Sequence, residues 1–256
     1  MILDDIIATT RKSLEQRKEQ RPLALLDCDC MNQNPPRNAI AALSKPGINL
    51  IAEIKRSSPS KGPLAPDLNA VSLAQTYERS GASAISVLTE PDYFKGSLAD
   101  LKSVVNAVQV PVLRKDFIID FYQVWEARAS GADMVLLIAA ALPMGELAKL
   151  QEAIIDLAMT PLIEVHNRRE LDQVLELKPG LIGINNRDLA TFKVNIDTTL
   201  ELRSLIPKDV IVVSESGIHT REDVQSLENA GVNAILVGEA LVKSSDPAAT
   251  IRQLLG

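Results

Sequence analysis

Cysteine, histidine, basic runs and long apolar runs are all scarce in this chain. Cys28 and Cys30 are its only cysteines and a single residue separates them; that is poor geometry for a disulfide and too few ligands for a zinc site. Two reduced thiols without structural duty are expected. His166 and His219 are the only histidines, so a histidine-centred triad or metal cluster is not expected, and both are assigned surface or capping roles. The 27 basic and 33 acidic residues are interleaved, with a formal charge of −6 and no Lys/Arg block; no footprint for nucleic acid or an anionic membrane results. The longest strongly apolar stretch, Met134 to Met144, contains Pro143 and falls short of the roughly 20 residues a bilayer crossing takes. The start, Met1-Ile2-Leu3-Asp4-Asp5, lacks the basic segment of a secretory signal, and a cytoplasmic protein is expected. No GxSxG elbow, Walker A stretch or GxGxxG occurs, which removes acyl-enzyme and nucleotide chemistry.

What is present is the balance of an ordinary globular protein, 46% hydrophobic and 23% charged. Short β-branched or Leu-rich runs alternate with segments of helical period, the sign of repeated βα units and a parallel sheet. Strands are predicted at Asn49–Lys55, Ala84–Leu88, Val112–Lys115, Met134–Ile138, Leu162–Val165, Leu181–Asn185, Val210–Ser214 and Ala234–Val237. An internal repeat supports the count of eight: Gly81, Gly131, Gly180 and Gly231 fall 50, 49 and 51 residues apart, each read as a left-handed residue between a helix and an even-numbered strand. Pro111 and Pro161 stand 50 apart before odd-numbered strands. Eight units in about 250 residues is the size of an α/β (β/α)8 TIM barrel, with an open doubly wound sheet as the alternative. One barrel domain over 1–256 is expected, with 48–256 forming the barrel and 1–47 an N-terminal helical extension. In that extension Ile2, Leu3, Ile6, Ile7 and Leu14 mark one face of an amphipathic helix, and Arg37–Leu43 reads as a second helix after Pro35-Pro36. Such helices either plug the barrel bottom or cover its mouth.

Barrel active sites lie at the C-terminal ends of the strands, and those ends are unusually polar here. Period two turns Glu53 and Lys55 inward together with Ile51. Lys115, Glu164, Asn185-Asn186-Arg187 and Ser214-Glu215-Ser216-Gly217 end other strands. Ion pairs that merely satisfy one another are the plain explanation; two lysines and two glutamates converging at one face favour acid–base catalysis. Desolvation among cations is expected to lower a lysine pKa toward neutrality, and burial to raise a glutamate's. Ser216-Gly217 and Gly238-Glu239 offer backbone N–H groups where barrels often bind phosphate. The loop Lys55-Arg56-Ser57-Ser58-Pro59-Ser60-Lys61-Gly62 adds hydroxyls and cations, although turn chemistry explains either stretch alone. Aromatics make up only 3% of the chain, yet Tyr93, Phe94 and Phe117 follow strands two and three, a wall suited to a flat substrate or ordinary loop packing.

Across 50–242 these residues resemble the indole-3-glycerol phosphate synthase family of tryptophan biosynthesis. The resemblance is carried by Ile51-Ala52-Glu53-Ile54-Lys55-Arg56-Ser57-Ser58-Pro59-Ser60-Lys61-Gly62, by Ser86-Val87-Leu88-Thr89-Glu90 with Tyr93-Phe94-Lys95-Gly96-Ser97-Leu98, and by Leu113-Arg114-Lys115-Asp116-Phe117. Pro161-Leu162-Ile163-Glu164-Val165-His166, Gly183-Ile184-Asn185-Asn186-Arg187-Asp188-Leu189 and Ser214-Glu215-Ser216-Gly217-Ile218 complete it. It implies a lyase that closes, decarboxylates and dehydrates 1-(2-carboxyphenylamino)-1-deoxyribulose 5-phosphate, a small phosphorylated aromatic amino-sugar, without metal or organic cofactor. Carried over, Lys115 protonates or polarises the ketone oxygen as the ring carbon attacks, Glu164 serves the later proton transfer and dehydration, and Lys55 contacts the carboxylate and is itself a candidate acid. Glu53, Asn185 and Glu215 orient the lysines and hold hydroxyls, and Arg187 supports the charge network. Ser58, Ser216, Gly217, Gly238 and Glu239 hold phosphate, while Pro59, Phe94, Phe117, Leu136 and Leu189 line the aromatic pocket. The resemblance also implies that the extension folds over the active face. Some members are fused to a second barrel, the phosphoribosylanthranilate isomerase, whereas this chain ends fourteen residues after Val242, so a single barrel is expected, as a monomer or weak homodimer. Family members often carry an aromatic near the start of the second extension helix, where this chain has Arg37-Asn38-Ala39-Ile40. A Schiff-base aldolase of the same fold and a catalytically inactive phosphate-binding barrel are the rival readings.

Overall fold

In the computed structural model, which describes residues 2–256, the eight predicted strands all form: β1 (Asn49–Ile54), β2 (Ala84–Leu88), β3 (Val112–Lys115), β4 (Met134–Ile138), β5 (Thr160–Val165), β6 (Leu181–Asn185), β7 (Ile211–Glu215) and β8 (Ala234–Val237). They are parallel throughout and close into a barrel in the order β1-β8-β7-β6-β5-β4-β3-β2. The doubly wound alternative is thereby excluded. β7 starts and ends one residue later than expected, so Glu215 belongs to the strand. β5 begins at Thr160, bringing Pro161 inside it.

Outward-facing residues such as Leu50, Ala52, Val135, Leu137 and Ile235 pack under the surrounding helices α4 (Ala70–Arg79), α5 (Leu98–Ala107), α6 (Phe121–Ala129), α7 (Met144–Asp156), α8 (Arg168–Leu175), α9 (Asp197–Arg203) and α10 (Arg221–Asn229). After β8 come a short turn, α11 (Glu239–Val242), and α12 (Pro247–Leu255). Helix starts are fixed by side-chain caps, with Asn69, Ser97, Asp120, Asn167, Thr220 and Asp246 each accepting a first-turn N–H. The glycine repeat holds at three of its four positions: Gly81, Gly131 and Gly231 take positive φ, whereas at the fourth the left-handed residue is Lys178 (φ 51°), two before Gly180. That loop turns earlier because α8 ends early, at Leu175.

The extension does what neither expectation foresaw alone, because it reaches both ends of the barrel. Helix α1 (Ile2–Gln20) lies over the mouth, with Ile2, Leu3 and Ile6 lining the cleft there. Helix α2 (Leu23–Met31) was not predicted and runs along α6; Leu26 and Cys30 are buried with Leu14, Tyr122 and Ala129. Cys30 is therefore packed rather than idle, and burial pushes its thiol up to about 11. Arg17 pairs with Glu126, Lys18 with Asp120 at 2.8 Å, and the Tyr122 hydroxyl donates to the carbonyls of Arg17 or Arg21. Helix α3 (Ala39–Leu43) plugs the bottom, where Ala39 and Leu43 join Ala84, Met134, Leu181, Ile211 and Ala234, the first residues of five strands. Residues 1–47 are thus not all lid. Arg37 anchors the plug through Asp133 (3.1 Å) and the carbonyls of Val105, Val108 and Val110, so no aromatic is needed at that point. Among the described residues no helix is long and apolar enough to cross a membrane.

Candidate active site

Barrel interiors are filled in layers of four side chains from alternate strands, usually branched and apolar. Here Ile51, Leu113, Leu162 and Val213 of the odd strands form such a layer. One pleat period further, the same strands supply Glu53, Lys115, Glu164 and Glu215. Three carboxylates and one ammonium occupy a layer that would ordinarily be apolar. Lys115 Nζ lies 2.9 Å from Glu164 Oε2 and 2.9 Å from Glu215 Oε2, and Lys55 Nζ lies 2.7 Å from Glu53 Oε1. Two glycines make room for this layer. A Cβ on Gly183 would collide with Glu215 Oε1, and one on Gly238 with Glu53 Oε1.

The electrostatics correct one expectation. Burial works to lower the Lys115 pKa, but Glu164, Glu215 and Glu53 outweigh it and hold the ammonium well above its usual range. The pocket is rich in carboxylates rather than cations. The two glutamates beside Lys115 diverge. Burial pushes Glu215 up to about 7, helped by Glu164 and Glu53 against the pull of Lys115. At Glu164 burial acts upward too, but Lys115 and His166 prevail and hold it well below the usual carboxylate range. His166 is a second correction: its side chain is 7% exposed, with Nε2 3.1 Å from Glu164 Oε1 and Nδ1 3.1 Å from Glu170 Oε2. Only His219 is exposed. A residue just past a strand end reads as surface unless the helix that follows supplies it with a partner, as Glu170 does here.

Above the layer an apolar slot is lined by Pro59, Phe94, Phe117, Leu136, Leu189 and Ser58, together with Ile2, Leu3, Ile6, Ile138 and Phe192. The rings of Phe94 and Phe117 stand 6.0 Å apart at 39°. Both aromatics are set by buried carboxylates that pattern reading passed over. Glu90 accepts the backbone N–H groups of Asp92, Tyr93 and Phe94 at 2.7–2.9 Å. Asp116 accepts from Phe117 N (2.8 Å), Thr89 Oγ1 (2.6 Å) and Arg114 Nη2 (2.9 Å). A glutamate followed by a Pro-Asp turn, as in Glu90-Pro91-Asp92, was the available signal.

A polar compartment adjoins the slot and is lined by Lys61, Arg187, Ser216, Gly217, Gly238 and Glu239, sharing Glu53 and Lys55 with it. Ser216 (φ 68°) and Gly217 (φ 79°) are consecutive left-handed residues, and the backbone strain this implies at Ser216 is of a kind that collects at functional sites. Asn186 braces the turn by donating to the Ser216 carbonyl at 3.0 Å, while Thr199 donates to Asn186 Oδ1 at 2.8 Å. The Asn185 side chain accepts from Arg187 N at 3.1 Å and faces the slot. The Glu239 carboxylate is taken up by Lys243 at 2.8 Å, which leaves its backbone for an anion. Every predicted site residue lines one of the two compartments. Of the first loop's cations, Arg56 turns away to Asp100 (2.5 and 3.1 Å), and Tyr93 lines neither compartment.

A barrel mouth that joins an apolar slot, a polar compartment and a layer of paired charges has the make-up of a (β/α)8-barrel enzyme. The family model for indole-3-glycerol phosphate synthase matches residues 3–254. An indole-3-glycerol phosphate synthase of Dehalococcoides mccartyi (strain ATCC BAA-2100 / JCM 16839 / KCTC 5957 / BAV1) is 49% identical over 259 residues, covering 100% of both chains. One from Leifsonia xyli subsp. xyli (strain CTCB07) is 47% identical, covering 100% of this chain and 98% of its own. A solved 3-hexulose-6-phosphate synthase superposes with a TM-score of 0.63 at 16% identity, over 81% of this chain and 98% of its own, and so shares the fold alone. The chain belongs to the indole-3-glycerol phosphate synthase family, carbon–carbon lyases of tryptophan biosynthesis.

Proposed function

We propose that the charged layer carries out ring closure, decarboxylation and dehydration of 1-(2-carboxyphenylamino)-1-deoxyribulose 5-phosphate. The observation that carries this reading is the Lys115 ammonium shared between Glu164 and Glu215 at the floor of an apolar slot. The aryl carbon bearing the carboxylate attacks the ketone carbon, and Lys115 delivers its proton to the oxygen as that oxygen gains charge. The raised lysine pKa keeps the proton on Lys115 in the resting site, so it is in place when an alkoxide develops to receive it, at a cost in driving force for the transfer. The bond to the carboxylate then breaks, CO2 leaves, and its electron pair restores the aromatic ring. In the dehydration, Lys55, which first contacts the carboxylate, protonates the departing hydroxyl. Glu164 takes the methylene proton, which creates the indole double bond. Two protons are donated and one is accepted, matching the single proton consumed when a carboxylate leaves as CO2. Glu53, Asn185 and Glu215 orient the lysines and hold hydroxyls, and Arg187 balances charge between the compartments.

The phosphate lies in the polar compartment on Ser216, Gly217, Gly238 and the Glu239 backbone, beside the loops where barrels commonly hold it, with Ser58 meeting it from the adjoining slot. The anthranilate ring fills the slot against Pro59, Phe94, Phe117, Leu136 and Leu189. The same reading takes 1–256 as one domain, with 1–47 as extension and 48–256 as barrel, working in the cytoplasm as a monomer or weak homodimer. Its test is a fluorescence assay of the purified protein with this substrate, in EDTA and without added cofactor. Indole emission growing in with turnover is expected. Binding without turnover would leave an inactive barrel, and borohydride trapping of substrate on Lys115 or Lys55 would replace the mechanism with a Schiff base.

A further inference from the structure

His166 neither gives nor takes a proton in ring closure, decarboxylation or dehydration. It is the first residue past β5, and its ring stands between two carboxylates, Nε2 3.1 Å from Glu164 Oε1 and Nδ1 3.1 Å from Glu170 Oε2. Glu164 is thereby divided, one oxygen on the Lys115 ammonium and the other on an imidazole. Glu170 is itself held in place: it occupies the first turn of α8, its Oε1 accepts from Asn167 Nδ2 at 2.6 Å, and its Oε2 accepts the His166 backbone N–H at 2.8 Å. A neutral imidazole donates from one nitrogen and presents a lone pair at the other, so of its protonation states only imidazolium suits a carboxylate at each side. Burial opposes that charge, but Glu164 and Glu170 outweigh it and raise His166 to about 10. The other charged groups around the pair are Asp188 after β6 and, across Glu164, Lys115 of β3 and Glu215 of β7.

Glu164 and Glu215 differ in this one respect. When Lys115 gives up its proton, both carboxylates lose their shared cation. Glu215 is left with a buried Oε1 that has no hydrogen-bond partner, whereas Glu164 still has the His166 ring, whose Nε2 stands at ion-pair distance (3.1 Å) without closing a hydrogen bond. We propose that His166, oriented by Glu170, is a positioning residue that keeps Glu164 a carboxylate while Lys115 lacks its proton, so that the base is ready for the methylene proton. The inference rests on the assignment of Glu164 as that base.

The test is the pH dependence of kcat and kcat/KM for the wild type, His166→Gln, Glu170→Gln and Glu164→Gln. Loss of the imidazolium removes a cation that favours ionised Glu164, so the acid limb of kcat moves to higher pH by about 1–3 units, the range an adjacent opposite charge commands. KM stays within about twofold, because His166 lines neither compartment, and Glu170→Gln moves the limb the same way by less. An unmoved acid limb in His166→Gln overturns the proposal, whether kcat is retained or lost, since a purely structural role lowers kcat without shifting it. Should His166→Gln fail to fold, Glu170→Gln carries the same test. Imidazole NMR of the unaltered protein checks the charge directly, with exposed His219 as internal reference. A His166 ring protonated through pH 8 is expected, and titration near 6.5 overturns the proposal. Full turnover by Glu164→Gln would instead remove the base assignment itself.

Discussion

Gly183→Ala is a small change that the structure makes consequential. Gly183 sits in the middle of β6 without a positive φ, so its backbone suits alanine. On chain entropy alone the substitution would stabilise the protein by about 0.4–1 kcal/mol. The space forbids it. The new methyl would overlap Glu215 Oε1 and touch Leu162 Cδ1 at 3.4 Å. Glu215 must retreat by roughly 1 Å, and overpacking of this kind costs about 1–3 kcal/mol. A net loss of about 0–2.6 kcal/mol follows once the entropy gain is subtracted. The retreat also draws Glu215 Oε2 from Lys115, now 2.9 Å away. Displacements of about 1 Å at reacting groups can cost 10²-fold, so turnover should fall by about that factor. Urea unfolding and the indole-emission assay read the two effects separately. Pairing Gly183→Ala with Glu215→Asp, whose shorter side chain relieves the overlap, should recover part of the stability, with a coupling of about 0.5–3 kcal/mol. A Gly183→Ala protein more stable than the parent with normal turnover would refute the argument, and strict additivity in the pair would show that Glu215 is not what the methyl meets.

Lys115→Ala should lose about 10²–10⁴-fold in kcat, the contribution of a positioned general acid, and near-normal turnover would remove Lys115 from the reaction. Arg37→Ala strips the bottom plug of its contacts with Asp133 and three carbonyls; about 1–3 kcal/mol of stability should go, the cost of stranding buried polar partners. Its kcat at 25 °C should be unchanged, because the plug lies at the opposite end from the cleft, and a lowered kcat with an unshifted urea midpoint would contradict the anchoring role.

The barrel was legible because each βα unit repeats its own signals: a β-branched run, a helix period, a turn residue. The polar strand ends were legible for a related reason, since period two alone sends Glu53 and Lys55 inward. Relations between strands were not visible in the same way. Whether Lys115 faces cations or carboxylates depends on which residues β5 and β7 bring to its level, and Glu164 and Glu215 lie 49 and 100 residues away in sequence. That distance is why the predicted direction of its pKa was reversed. Helix α2 escaped notice because its apolar residues do not mark its buried face. Leu23, Leu25 and Met31 are exposed, and only Leu26 and Cys30 are buried. The extension was read as lid or plug because periodicity gives a helix its apolar face but not the surface that face will meet.

The plug at the barrel bottom bears on how the molecule is made. Helix α3 and Asn49 emerge early in synthesis, yet the Asn49 side chain bonds the Asn233 carbonyl 184 residues on. Three of the plug's five strand partners, β6, β7 and β8, come last. A nascent chain lacking β8 keeps the free edges of β1 and β7 unpaired and the apolar face of α3 only partly covered, the kind of surface that invites association before synthesis ends. Closure must bridge those 184 residues, against an entropy that grows with the logarithm of the loop. The seam between β1 and β8 is accordingly where folding should finish, and a protease or hydrogen-exchange pulse during refolding would find it protected last.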